Sequence, residues 1–284
     1  MDASKNIRPW TDPEVDDADA DAAAAPILPP GATDVKLSQR EIDDLDSVVR
    51  LAAELQSDST CVRLSLLGCE LGDPGAALIS AALGTNSTLQ SLDIGRNSLG
   101  NAAAASLAAA LCKSTANLQT LFLGGNSLGA PGAASLASAL EKNTSLQTLE
   151  LGSNGALGDK GAASFAAALK KNATLLSLGF GFTGVSDAGV TALAGMLKVN
   201  STLQSLNLVG YKSKGAAGNA SLRAIQSKLQ KNAREAGKAT DERGAASAAE
   251  ASSPSSGLFA MAAMAAEADA VSSDEYEELD REDG

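Results

Sequence analysis

Residues 179–184 read GFGFTG and match G-x-G-x-x-G, the spacing with which a strand-to-helix turn cradles a dinucleotide pyrophosphate. That chemistry needs the glycines between a strand and a helix, with an acid about 20 residues further on to hold a ribose. Here Gly179 and Gly181 fall inside a strand pattern and no acid follows at that distance, so the reading is small residues on a strand surface. No G-x-x-x-x-G-K-[ST] occurs. The chain has no histidine, which removes Ser-His-Asp and Cys-His nucleophiles, the HExxH zinc helix and an imidazole pH switch. Cys61, Cys69 and Cys112 are few, odd in number and without CxxC spacing, the usage of a reduced cytoplasmic or nuclear protein. The expectation is a chain without catalytic residue, metal or cofactor.

A different chemistry, recognition, is offered by residues set between leucines. The segments LQSLDIGRNSLG (89–100) and LQTLFLGGNSLG (118–129) differ mainly at such positions. In L-x-x-L-x-L the apolar residues alternate and share one face of a short strand, so the third, fifth and seventh positions point the other way. Over six copies the third position holds Arg63, Ser91, Thr120, Thr148, Ser177 and Ser205, a near-uniform lane that reads as scaffold. The fifth holds Ser65, Asp93, Phe122, Glu150, Gly179 and Asn207, which vary. Arg63, Ser65, Asp93, Phe122, Glu150 and Asn207 are therefore the candidate partner-binding residues, with Phe122 expected exposed between two acids.

The elements that must carry these lanes follow from the repeat. Copies begin at Cys61, Leu89, Leu118, Leu146, Leu175 and Leu203, at spacings of 28, 29, 28, 29 and 28. After each of the first five strand patterns comes a Gly-containing link and a helical pattern. Ala133, Leu136, Ala137 and Leu140 fall at i, i+3, i+4 and i+7, one helical face. One strand and one helix cannot bury both faces alone, whereas stacked copies form a parallel sheet backed by helices. The ninth position holds Cys69, Asn97, Asn126, Asn154, Thr183 and Tyr211. Asn there can bond backbone groups of its own and the neighbouring turn, so Cys69, Asn97, Asn126 and Asn154 form a structural ladder that weakens towards the C-terminal end.

The six L-x-x-L-x-L-x-x-[NC]-x-L units, with continuations of the LGxxGAxxLAxAL type, resemble the leucine-rich repeat family, in its ribonuclease-inhibitor-like subclass with long, helix-bearing units. The resemblance covers roughly residues 61–234. It implies an α/β solenoid shaped as a horseshoe, with parallel strands on the concave face and helices on the convex face. It also implies a protein-binding module. The Ran GTPase-activating proteins look like longer versions of this repeat type followed by an acidic tail, and residues 274–283, DEYEELDRED, are similar in kind.

The organisation expected is an acidic, disordered segment over 1–34, a capping helix within 35–60, six repeats over 61–234 and a disordered Ala/Ser-rich and acidic tail over 235–284. In the cap, Ser38 and Glu41 fit a capping box, and Ile42, Leu45, Val49, Leu51 and Leu55 suggest the apolar stripe. Residues 1–60 hold 5 basic and 14 acidic side chains, 61–234 hold 14 and 7, and 235–284 hold 3 and 13. A basic array thus lies between acidic ends. Its Lys113, Lys142, Lys170, Lys171 and Lys198 recur at helix C-termini and should line one rim, where the helix dipole favours them by about 0.3–1 kcal/mol each. No aromatic residues interleave them, which argues against nucleic acid. No stretch approaches the ~18 apolar residues of a membrane helix. Five N-x-[ST] triplets occur, at Asn86, Asn143, Asn172, Asn200 and Asn219, and four of them read as by-products of the repeated loop. The functional expectation is a non-catalytic, cytoplasmic or nuclear scaffold, monomeric, that binds a protein through its concave face. The alternatives are a regulator of a small GTPase and a subunit of a ciliary or cytoskeletal assembly.

Overall fold

The computed structural model describes residues 25–42, 44–113 and 117–247, with side chains as far as 238. The acidic stretches 1–24 and 248–284, read above as disordered, lie outside them. The chain divides into two compact units, Met1–Ala233 and Arg234–Gly284. The described part of the second is the helical end of the last element.

Strand and helix alternate through the first unit: β1 (Asp34–Lys36), α1 (Leu45–Ser57), β2 (Arg63–Ser65), α2 (Gly72–Leu83), β3 (Ser91–Asp93), α3 (Asn101–Leu111), β4 (Thr120–Phe122), α4 (Ala130–Leu140), β5 (Thr148–Glu150), α5 (Gly158–Leu169), β6 (Ser177–Gly179), α6 (Asp187–Leu197), β7 (Ser205–Asn207) and α7 (Ala216–Ser247). The seven strands make one parallel sheet in chain order. Neighbours pair in the same register throughout, so Leu64, Leu92, Leu121, Leu149, Leu178 and Leu206 lie side by side. Strands pack ~4.8 Å apart and helices 8–10 Å apart, so a stack joined one strand to one helix bends with the sheet inside. No described helix is long and apolar enough to cross a membrane.

The periods read from the sequence account for the core. The L-x-L residues of β3 to β6, from Leu92 and Ile94 to Leu178 and Phe180, are all wholly buried. Behind them α4 contributes Ala133, Leu136, Ala137 and Leu140, and α5 Ala162, Phe165, Ala166 and Leu169. Alanines let adjacent helices approach closely, and the few rings fill the remaining gaps. Phe165 meets Phe180 edge to face at 5.9 Å between centroids. Each fully buried Leu or Phe contributes about 1.5–3 kcal/mol, so the repeated frame alone supplies the fold's main driving force.

The N-terminal cap differs from the sequence expectation in three ways. A strand, β1, precedes the cap helix and pairs with β2, with Val35 and Leu37 buried. The helix starts at Leu45, capped by the Asp44 side chain, which accepts from the Ser47 N–H at 2.7 Å. Ser38 and Glu41 instead close a turn before it: Glu41 Oε2 accepts from the Ser38 N–H at 2.7 Å and from its hydroxyl at 2.9 Å. The buried stripe is Val48, Leu51, Ala52 and Leu55, while Leu45 and Val49 are exposed. The stripe follows the true helix start, one residue out of phase with a helix begun at Ser38. The cap is also fastened to the chain ahead of β1, because Glu54 accepts from the backbone N–H of Ile27 and Leu28.

Candidate interaction surface

The outward lanes of the sheet form a surface whose backbone is fixed by the ladder, on both sides of β2 to β6 and on one side of the edge strand β7. Thr120 and Thr148 of the third lane are half-buried, and Arg63 is exposed but held in an ion pair with Asp34 of β1. The pair couples the cap to the first repeat, so Arg63 is committed within the chain. In the fifth lane Asp93, Phe122 and Glu150 sit opposite one another on β3, β4 and β5. All three are half-buried, as is Ser65, and Asn207 is exposed. Phe122 is therefore less open than its place between two acids suggests. The most exposed described aromatic is Phe182, at 60%.

Local chemistry fixes these side chains. Asp93 Oδ1 accepts from the Gly95 N–H at 3.0 Å, and burial pushes its carboxyl above the ordinary range. The Glu150 carboxylate lies across Gly179, where a methyl group would overlap it. Gly179 thus has a role in packing, giving room to an acid inside the strand as expected, whereas Gly181 falls in the turn after β6 and not within the strand. Asn207 Oδ1 accepts from the Val209 N–H at 2.9 Å. The seventh lane is Leu67, Gly95, Gly124, Gly152, Gly181 and Val209, so the sheet is smooth in its middle and apolar at its ends.

The next position holds Gly68, Arg96, Gly125, Ser153, Phe182 and Gly210, every one with positive φ. Three glycines adopt this left-handed backbone freely, whereas Arg96 and Phe182 carry long side chains in it at a cost of order 1 kcal/mol each. Each leans over the next unit's glycine. A methyl group on Gly125 would come within 2.9 Å of Arg96 Cγ, and one on Gly210 within 2.4 Å of the Phe182 ring. Large residues at this rim are seated where the following repeat makes space.

The ninth-position ladder is a set of inter-repeat hydrogen bonds. Asn126 Oδ1 accepts from the N–H of Asn97 and Leu99, and its Nδ2 donates to Ile94 O and Leu123 O. Asn97 and Asn154 join their units to the preceding one in the same way. Cys69 makes long Sγ contacts to Leu37 O at 3.5 Å and Leu67 O at 3.9 Å, and the Thr183 hydroxyl donates to Phe180 O within its own unit.

Sequence reasoning missed a second ladder. Asn86, Asn143, Asn172 and Asn200 are buried, and the repeated loop exists because of them. Asn172 Nδ2 donates to Leu140 O at 2.8 Å, one unit back, while Oδ1 accepts from the N–H of Thr174 and Leu175. Asn86, Asn143 and Asn200 do likewise. The signal was an Asn three residues before Leu89, Leu146, Leu175 and Leu203. A third series caps helices across units: Asp73 accepts from Gly100 and Ala103, Asn101 from Gly129 and Gly132, and Asp159 from Ser186 and Gly189. Ala130 occupies the frame between them and interrupts it.

The rim lysines lie where helices end. Lys170 and Lys198 are C-cap residues, and Lys113, Lys142 and Lys171 follow α3, α4 and α5. All are exposed, and Lys171 Nζ pairs with Glu141 at 2.8 Å. Among the described residues no group of three His, Cys, Asp or Glu side chains could hold a metal.

A leucine-rich-repeat family model matches residues 85–108, 142–166 and 171–194. No curated protein matches the chain by sequence. Among solved structures the chain is similar to an actin-binding site 2 domain of leiomodin-1, at 15% identity, 68% of this chain, 95% of that one and a TM-score of 0.43. It is also similar to a tropomodulin C-terminal domain from Caenorhabditis elegans, at 12% identity, 68% and 95% coverage and 0.45. A yeast Rad7–Elc1 complex matches at 17% identity, 60% and 55% coverage and 0.38.

Proposed function

We propose that this chain, a leucine-rich-repeat protein with helix-bearing units, is a non-catalytic scaffold that holds a protein partner on the strand face of its repeats. The observation that carries the reading is the contrast between lanes of one sheet. The inward leucines of β3 to β6 are invariantly buried, while the fifth lane on the same strands changes in size and charge from unit to unit. A rigid sheet that holds varied side chains at ~4.8 Å intervals supplies preorganised contacts, and preorganisation is what raises affinity per contact. Phe122, flanked by Asp93 and Glu150, is the anchor of such a surface, since aromatic residues dominate interface energetics. The smooth glycine lane beside it lets a partner's backbone come close.

The test is affinity capture with the full chain, comparing wild type with Phe122→Ala and with Asp93→Lys plus Glu150→Lys. The expected result is loss of the captured partner by tenfold or more, about 1.4 kcal/mol, with the thermal midpoint retained. Capture that survives all three changes, yet fails when the helix side is altered, would move the binding surface off the sheet.

A further inference from the structure

The sheet's two edges are finished differently. β1 carries Asp34 and Lys36, and charged side chains on an edge discourage pairing with another chain. Residues 205–209 at the other edge read SLNLV, with no charge and no proline. The backbone of Ser205, Asn207 and Val209 is turned towards β6: the Ser205 N–H donates to Leu176 O, while Asn207 O and Val209 O accept from Phe180 and Phe182. The alternation of a strand then directs the N–H and C=O of Leu206 and Leu208 away from the sheet. Leu208 O takes one bond, from the Tyr211 N–H at 3.1 Å. Among the described residues no strand pairs with β7 on that side.

The side chains at this end are short of cover as well. Leu206 and Leu208 are half-buried, whereas their counterparts in the five preceding strands are at most 2% exposed. Val209 is 58% exposed, and Phe182 stands beside it. Asn232, 1% exposed, bonds through Nδ2 to Asn200 O and Leu203 O, but its Oδ1 has no partner among the described residues. In the earlier rungs that oxygen accepts from the first N–H groups of a following turn, and here the chain continues as α7 instead. The end face of the sixth repeat therefore keeps the strand edge and the leucines of an array that goes on.

We propose that a second copy of this chain pairs with β7 across a two-fold axis at Asn207, joining two sheets edge to edge in antiparallel fashion. The strand is self-complementary about that residue. Leu206 of one copy comes opposite Leu208 of the other, and the two exchange both backbone hydrogen bonds, so the axis generates four. A carbonyl oxygen has two lone pairs, so Leu208 O keeps its bond to Tyr211. All four leucines fall on the core side and cover one another. Asn207 meets Asn207 of the second copy on the open side, with Cα atoms ~4.5 Å apart, and neither carries a charge that would oppose contact. Isologous two-fold contacts of this kind are the commonest route to a homodimer. A dimer departs from the monomer expected from sequence, and its axis uses only the last residue of the fifth lane, three strands from the Phe122 anchor on β4.

Light scattering on the full chain reads the outcome directly. The mass should rise from 28.4 kDa towards twice that value as concentration increases to about 100 µM. Exchange of the Leu206 and Leu208 amides should slow about tenfold over the same range. Asn207→Lys and Asn207→Glu place like charges across the axis, so each should stay at the single-chain mass at low salt, and an equimolar mixture should recover the double mass. Asn207 is exposed, so circular dichroism should show both variants folded. A wild-type mass that stays at one chain overturns the proposal and leaves the edge to a strand of another protein. Single variants that still associate would place the contact elsewhere, and a mixture that fails to recover would exclude the axis at Asn207.

Discussion

The two ends of the repeat array solve one problem with different means. At the N-terminal end the capping elements are irregular but well bonded. Leu28, Val35, Leu37 and Ile42 are all buried, the Arg63–Asp34 ion pair ties β1 to β2, and Glu54 holds the entering chain. At the C-terminal end the repeat pattern persists further, through β7 and the Asn232 rung, yet the contacts thin out: Leu206 and Leu208 are half-buried and, among the described residues, Asn232 Oδ1 is unpartnered. Similarity to the repeat is thus a poor measure of closure. A unit that keeps the frame without a neighbour keeps unsatisfied groups, whereas a cap that abandons the frame can satisfy them. In a nearest-neighbour array this difference becomes a gradient of local stability.

That gradient can be broken at its largest effect by leucine truncation. Leu64→Ala, beside the N-terminal cap, should cost about 2–5 kcal/mol in denaturant unfolding, as a fully buried leucine does. Leu206→Ala, at the same position of the last strand, should cost about 1 kcal/mol because the site is already partly solvated. Equal costs would show that the two ends are closed equally well. The Asn ladder gives the next contrast. Asn172→Ala leaves two buried N–H groups and a carbonyl without partners and should cost about 2–3 kcal/mol, whereas Asn232→Ala, losing only the Nδ2 bonds, should cost about 1 kcal/mol. A reversed order would mean that the last rung is fully engaged.

Glu54→Ala should lower stability by about 1–2 kcal/mol and speed amide exchange at Ile27 and Leu28, while leaving β7 amides unchanged. Faster exchange at both ends would mean that the array unfolds as one block. The smallest effect concerns Asp159, whose carboxyl is held below its ordinary 3.8, chiefly by the Ser186 hydroxyl and further by the Ser186 and Gly189 N–H groups. A depressed folded-state value gives stability that is present above the unfolded value and lost as pH falls through the folded one. Asp159→Ala should therefore cost about 0.5–1 kcal/mol at neutral pH, and the gap to wild type should close below pH 3.8. A gap that persists in acid would assign the loss to packing.

The repeat frame was legible in the leucines because burial enforces it: a slip of one residue turns every L-x-L side chain to the wrong face. The ninth-position ladder was legible at Asn97, Asn126 and Asn154 for a similar reason, since only a side chain with both donor and acceptor serves two units at once. The outer ladder escaped notice because Asn before Ser or Thr has a familiar alternative meaning, and its reach to the preceding helix end is three-dimensional. The cap stripe went astray through the helix start. Ser38 and Glu41 do bond each other, but in a turn seven residues before Leu45. Phe122 is less exposed than expected because lane position gives direction and says nothing of neighbours. Phe182 extends over Gly210 from a left-handed backbone that a strand pattern cannot register.

The side-chain bonds between units span between 24 and 32 residues. During synthesis, then, a turn of this coil waits for little more than one repeat's worth of chain before its partners exist. At 5–20 residues per second a unit takes on the order of seconds to emerge, while helices and local contacts form in microseconds to milliseconds. Each unit can be docked while its successor is still being translated, and no segment has to await a distant one to cover its leucines. The chain is built so that folding keeps pace with the ribosome.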